Sequence, residues 1–173
     1  MSLKLLLIES NKFFEQNLGE RFRREGFRLF CAQRLNDARK ITMRKKIDVA
    51  LIDLTGLRVE GIRIIGEIKK SIPLTEIITI TNAEQMSLSI DVMKFGVFDD
   101  FLIPFDMNAL TDRIKEAASR KKQNEGRKRS LFQAYQDHMV AAAFAEAGDP
   151  DTAKEFLEDK TSRRNIKKGE QDD

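Results

Sequence analysis

Asp48-Val49-Ala50-Leu51-Ile52-Asp53-Leu54 is the stretch that decides the fold. Four consecutive apolar residues, beginning and ending with a β-branched side chain, stand between two aspartates. A strand with one wet face alternates apolar and polar residues; an unbroken apolar run marks a strand covered on both faces, as in a parallel sheet between helical layers. The same signature recurs at Leu5-Leu6-Leu7-Ile8, and Ile77-Ile78-Thr79-Ile80 reads as the fourth strand. Arg28-Leu29-Phe30-Cys31-Ala32 reads as a second strand in chain order, and Phe98 to Ile103 holds the fifth.

Between these runs the period changes to that of a helix. Phe13, Phe14, Leu18 and Phe22 recur near helical spacing and Gly26 ends the segment. Leu35 to Arg44 reads as a second helix. Ile62, Ile64, Ile65, Ile68 and Ile72 form a third, closed by Pro73, and Leu88 to Met93 a fourth, stopped by Gly96. Met107 to Ala118 reads as the fifth. Five β–α repeats in residues 1–119 predict an α/β fold with a five-stranded parallel sheet and helices on both faces. Residues 120–129 are basic and polar, either an extension of the fifth helix or a linker. Residues 130–160 read as a helical hairpin turned at Gly148-Asp149-Pro150, a helix stop followed by a cap and a first-turn proline. Residues 161–173 are polar and charged and read as a disordered tail.

Composition narrows the chemistry. In 173 residues there is one cysteine, Cys31, and one histidine, His138. An internal disulfide, a cysteine-based zinc site and a Ser-His-Asp triad are all disfavoured. The net charge of +3 is concentrated in Arg120-Lys121-Lys122 and Arg127-Lys128-Arg129; these read as a solvated helix end, and no nucleic-acid contact is expected. The longest apolar runs fall well short of the ~20 residues of a membrane span. The run after Lys4 ends at Glu9 and does not read as a secretion signal, so the cytoplasm is the expected compartment.

In a parallel sheet of this kind ligands bind beyond the carboxyl ends of the strands. Glu9 follows the first strand, Asp53 ends the third and Thr81 ends the fourth. Two acids at neighbouring strand ends supply oxygen ligands for a magnesium ion, and a hydroxyl on the next strand donates to a phosphoryl oxygen. Asp53 stands between the other two only if the strand order is 2-1-3-4-5. The same carboxylates equally suit helix caps in the loops.

Four segments together resemble the receiver domains of bacterial two-component response regulators. They are Leu5 to Asn11, Asp48 to Leu54, Ile78-Thr79-Ile80-Thr81-Asn82-Ala83, and Met93 to Phe105, within residues 4–119. The resemblance implies a flavodoxin-like (βα)5 fold with strand order 2-1-3-4-5. It implies that Asp53 accepts a phosphoryl group from a histidine kinase or phosphotransfer protein, with Mg2+ held by Glu9, Asp53 and the backbone carbonyl of Thr55. Thr81 matches the hydroxyl residue that reports phosphorylation, and Phe101 matches the aromatic residue that moves with it. The expected output is protein contact rather than enzyme activity.

The departures from the family pattern carry their own expectations. Ser10 stands where a second acid is usual, and Ile103 where a lysine precedes the proline. Loss of one anionic ligand weakens a Mg2+ site. Loss of the lysine removes a charge-assisted contact worth roughly 1.5–3 kcal/mol. Leu57-Arg58 replaces a proline-glycine turn, although Gly61 remains, and the bond preceding Pro104 is implied to be cis. The rival function is a phosphorylation-independent pseudo-receiver, an interaction or dimerisation module. A homodimer is expected to use either the hairpin or the face of the fourth helix, fifth strand and fifth helix.

Overall fold

The computed structural model describes residues 2–146, and beyond them Asp151, Lys154, Glu155, Leu157 and Glu158, all helical. The expected hairpin turn at Gly148-Asp149-Pro150 and the expected tail at 161–173 lie outside the described residues. Five strands, β1 (Lys4–Ile8), β2 (Arg28–Ala32), β3 (Val49–Asp53), β4 (Glu76–Thr81) and β5 (Asp99–Leu102), form one parallel sheet in the order 2-1-3-4-5. The unbroken apolar runs lie in β1 and β3, where Leu5 to Ile8 and Val49 to Ile52 are fully buried; with β4 these are the three inner strands.

Alternation along the strands sends neighbouring residues to opposite faces. Leu5, Leu7, Val49, Leu51, Ile78 and Ile80 pack against α1 (Lys12–Arg24) and α5 (Met107–Glu146), meeting Leu18, Phe22, Leu110 and Ile114. Leu6, Ile8, Ala50, Ile52 and Ile77 pack against α2 (Leu35–Arg44), α3 (Leu54–Ser71) and α4 (Met86–Lys94). Phe13, counted with the apolar stripe of the first helix, instead stands 75% exposed. A short 3-10 turn, Ala83–Gln85, leads into α4.

Three boundaries differ from the sequence reading. First, α3 begins at Leu54, directly on the end of β3, because the Asp53 side chain caps it. Its early turns are not continuous: Arg58 takes φ 45° and ψ −119°, a break where a side chain is strained. Second, β5 is shorter, Asp99–Leu102. Third, α5 does not stop near Ser119, and residues 120–129 are helical throughout. The Ile103–Pro104 peptide is cis.

The chain divides into two compact units, Met1–Asn124 and Glu125–Asp173. In the first unit the basic run at 120–122 is not simply a solvated end. Lys121 is 5% exposed, and its Nζ donates to the Ile47 carbonyl at 2.7 Å and to Asp48 Oδ1 at 3.1 Å. Arg120 pairs with Glu76 at 3.3 Å and lies over the Phe98 ring. In the second unit Gln133 donates to Asp137, Asp137 and Ala141 are buried, and Leu131, Phe132, Tyr135 and Met139 are exposed.

Candidate functional site

Because β1 and β3 are neighbours in the sheet, the residues at their carboxyl ends emerge side by side. Glu9 directly follows β1 and is fully buried. Its Oε1 accepts from the Asn11 backbone N–H at 2.6 Å, while Oε2 is buried without a hydrogen-bond partner. Asn11 turns the chain into α1, its Oδ1 accepting from the N–H groups of Phe13 and Phe14. Burial pushes the Glu9 carboxyl up to about 8; the facing Asp53 carboxyl adds to the rise and the Asn11 N–H opposes it. A proton on Glu9 turns that lone buried acceptor into a donor toward Asp53.

Asp53, 3% exposed, is the last residue of β3. Its Oδ1 accepts from the Thr55 N–H and its Oδ2 from the Thr55 hydroxyl, both at 2.8 Å. The carboxylate therefore caps α3 while lining the space in front of Glu9. Each oxygen has two lone pairs, so one hydrogen bond per oxygen does not exhaust it. The Thr55 carbonyl, the third expected cation ligand, accepts from Gln85 Nε2 at 3.3 Å, alongside the Leu54 carbonyl at 3.2 Å. Gly56 leaves room for Ser10, whose hydroxyl occupies the place a Cβ at 56 would take. A cavity of about 340 Å³ opens over the carboxylates, lined by Glu9, Asn11, Phe13, Phe14, Asp53, Thr55, Gly56 and Ile103. Ile103 presents an apolar wall to two acids.

Thr81 is fully buried but does not line this cavity. Its hydroxyl donates to Asp100 Oδ2 on β5 at 2.7 Å. The same carboxylate accepts from Thr79 Oγ1 and from Ser89 Oγ of α4, each at 2.5 Å. Phe101 pairs in register with Ile80, one residue out of step with Thr81, and packs into the core beside α1 and α5. Its ring meets Phe105 edge to face at 5.9 Å. The structure thus brings Glu9, Asp53, Thr55, Ile103 and the neighbouring Ser10 together. It places Thr81 and Phe101 on opposite faces of the sheet.

Asp100 is the residue that sequence reasoning passed over. The available signal was parity: Thr79 and Asp100 are cross-strand partners, and Thr81 shares their face. Lys121 is a second such residue: it continues the spacing of Leu110, Ile114, Ala117 and Ala118 along the buried stripe of α5, a signal masked by the basic run in which it stands. Among the described residues no group of three or more His, Cys, Asp or Glu side chains is placed to hold a metal ion. Glu9 and Asp53 are a pair. Their chemistry suits a hard dication: two carboxyls, one with a buried oxygen that has no partner.

A family model described as the response regulator receiver domain matches residues 5–115. The chain belongs to this family. Receiver domains are signalling modules of two-component systems, generally without enzyme activity of their own; they typically bind Mg2+ at the phosphorylation site and interact with histidine kinases or phosphotransfer proteins. Sporulation initiation phosphotransferase F of Bacillus subtilis is 24% identical over 116 residues, covering 67% of this chain and 94% of that protein. A putative NtrX-like response regulator of Rickettsia felis is 26% identical over 117 residues, which is 66% of this chain but 25% of the relative. The chain thus spans about a quarter of the length of these relatives. Among solved structures, a response regulator receiver domain protein from Clostridium thermocellum superposes with a TM-score of 0.65. It is 28% identical, with 70% of this chain and 98% of that one covered. Among the described residues no helix is long and apolar enough to cross a membrane.

Proposed function

We propose that this receiver accepts a phosphoryl group on Asp53 from a histidine kinase or phosphotransfer protein and signals through protein contacts. The observation that carries the reading is the Asp53 carboxylate, almost wholly buried yet lining an open cavity beside Glu9. In the transfer, an Asp53 oxygen attacks the phosphorus of a phosphohistidine. The O–P bond forms as the P–N bond breaks, the imidazole leaves as a neutral group once protonated, and water later hydrolyses the acyl phosphate. The work of the protein is positioning and charge compensation. The Thr55 N–H and hydroxyl orient the carboxylate. Mg2+, when bound, supplies the positive charge that the phosphoryl oxygens need. Glu9 and Asp53 would hold it, with the Thr55 carbonyl, which keeps a second lone pair beside its contact to Gln85, as a further oxygen ligand.

The receiver is atypical in this reading, because Ile103 contributes no cation and Ser10 no second carboxylate. One observation favours the rival, phosphorylation-independent function: both Asp53 oxygens are engaged by Thr55, so the residue already has a structural task as the α3 cap. Incubation with Mg2+ and acetyl phosphate separates the two. A covalent mass increase of one phosphoryl group, absent in Asp53→Asn, supports transfer to Asp53. An unmodified, folded protein at millimolar Mg2+ supports the rival. Cytoplasmic location and self-association through the hairpin or the α4–β5–α5 face belong to the same proposal; size-exclusion chromatography with and without phosphodonor tests the association.

A further inference from the structure

The hydroxyl cluster around Asp100 has no part in the site as described, yet it ties three elements together. Thr79 and Thr81 reach it from β4 and Ser89 from α4, while Asp100 itself stands on β5. A hydroxyl has one proton to donate. While Thr81 gives that proton to Asp100, it cannot give it to an anion at Asp53. The carboxylate is a strong competitor, because a hydrogen bond to a charged acceptor outweighs one to a neutral group. The helix at the other end of the cluster is lightly held: Val92 is the one fully buried side chain described on α4, with Ile90 60% and Met93 50% exposed. Ser89 is therefore a substantial part of what fastens α4 to the sheet.

We propose that Asp100 is a positioning residue that withholds the Thr81 hydroxyl from the Asp53 site and links occupancy of that site to α4. The inference rests on the Asp53 reading and specifies how that site is regulated. An anion on Asp53 and the Asp100 carboxylate compete for one Thr81 proton. When Thr81 turns toward Asp53, Asp100 keeps Thr79 and Ser89 but loses one of its two donors on Oδ2. The hydrogen bonds that align Ser89 then change, and α4 loosens. Asp100 thus acts as a threshold, raising the strength of anion binding needed to recruit Thr81.

The test uses the full chain with Mg2+ and beryllofluoride as the phosphoryl mimic. Four proteins are compared: the parent, Asp100→Asn, Thr81→Ala and the double variant. Asp100→Asn is expected to tighten beryllofluoride binding about tenfold, the equivalent of ~1.4 kcal/mol of released competition. That gain should vanish in the Thr81→Ala background, which a merely structural role of Asp100 would not produce. Amide exchange over Ser87 to Lys94 should quicken in Asp100→Asn. A gain of the same size in both backgrounds, or weaker binding in a folded Asp100→Asn, overturns the proposal. If none of the four binds beryllofluoride, the Asp53 reading has failed, and the latch is judged on exchange alone. Faster α4 exchange then sustains it and unchanged exchange refutes it. Should Asp100→Asn not fold, Ser89→Ala opens the cluster from the helix side, with the same exchange result expected and the same result refuting it.

Discussion

Replacing Lys121 by methionine removes an ammonium group while keeping an apolar stem of similar length, so it separates the charge from the packing. The structure sets the size of the effect. Nζ donates to the Ile47 carbonyl and to the Asp48 carboxylate. Neither partner is left bare without it. The Ile47 carbonyl still accepts from Thr75 Oγ1 at 2.9 Å, and Asp48 Oδ2 still accepts from the Lys4 N–H at 2.8 Å. The loss therefore falls short of the full penalty for an orphaned buried charge, and about 1.5–3 kcal/mol is expected. For a unit of this size that is a fall in melting temperature of roughly 5–10 °C. The assay is urea unfolding at neutral pH, with exposed Lys122→Met as the control. If Lys121→Met lies within ~0.5 kcal/mol of the parent, as a surface change does, then Lys121 is not the anchor described and the basic run is solvent-facing after all.

Arg58→Gly should stabilise the protein by about 1 kcal/mol, the relief of a strained φ of 45° less the added chain entropy of glycine; a lower urea midpoint would contradict this. Glu9→Gln should change the pH dependence of stability in the absence of divalent cations. The folded protein holds the Glu9 proton up to about pH 8 and the unfolded chain releases it near 4.5, so this group's contribution is full below 4.5 and is lost as pH climbs to 8. The variant should therefore match the parent near pH 4.5 and exceed it by up to a few kcal/mol near pH 8, whereas parallel stability curves would sink the assignment. Ile103→Lys places a cation on the cavity wall and should tighten beryllofluoride binding by roughly tenfold, one charge-assisted contact; unchanged binding would mean that position 103 does not reach the anion.

What the sequence made legible follows from what each signal measures. An unbroken apolar run reports burial on both faces, so β1 and β3 are legible as strands covered by helices on either side. The strand order comes from the resemblance to receiver domains, and the convergence of Glu9 and Asp53 depends on that order. The rest of the site depends on side-chain parity, which residue type and spacing at the strand ends do not reveal. Thr81 ends its strand one residue beyond Ile80, the ladder partner of Asp53, and turns its hydroxyl to Asp100, while Phe101, the residue after Asp100, packs on the opposite face. Asp53 serving as the α3 cap was one of two roles the spacing allowed, and residue type alone does not separate them. Lys121 was hidden for a different reason. A lysine in a basic run looks solvated unless its place on the helical stripe is counted, and burial here depends on the Ile47 carbonyl and Asp48 lying opposite.

Asp53 must be chemically accessible as well as structurally employed if it is to accept a phosphoryl group. Intact-mass spectrometry of the full chain after acetyl phosphate and Mg2+ treatment, with Asp53→Asn alongside, addresses that directly. One phosphoryl group on the parent, mapped to Asp53 and missing from the variant, is the predicted result. A parent that remains unmodified while folded and Mg2+-saturated, or a phosphoryl group that persists in Asp53→Asn, contradicts it.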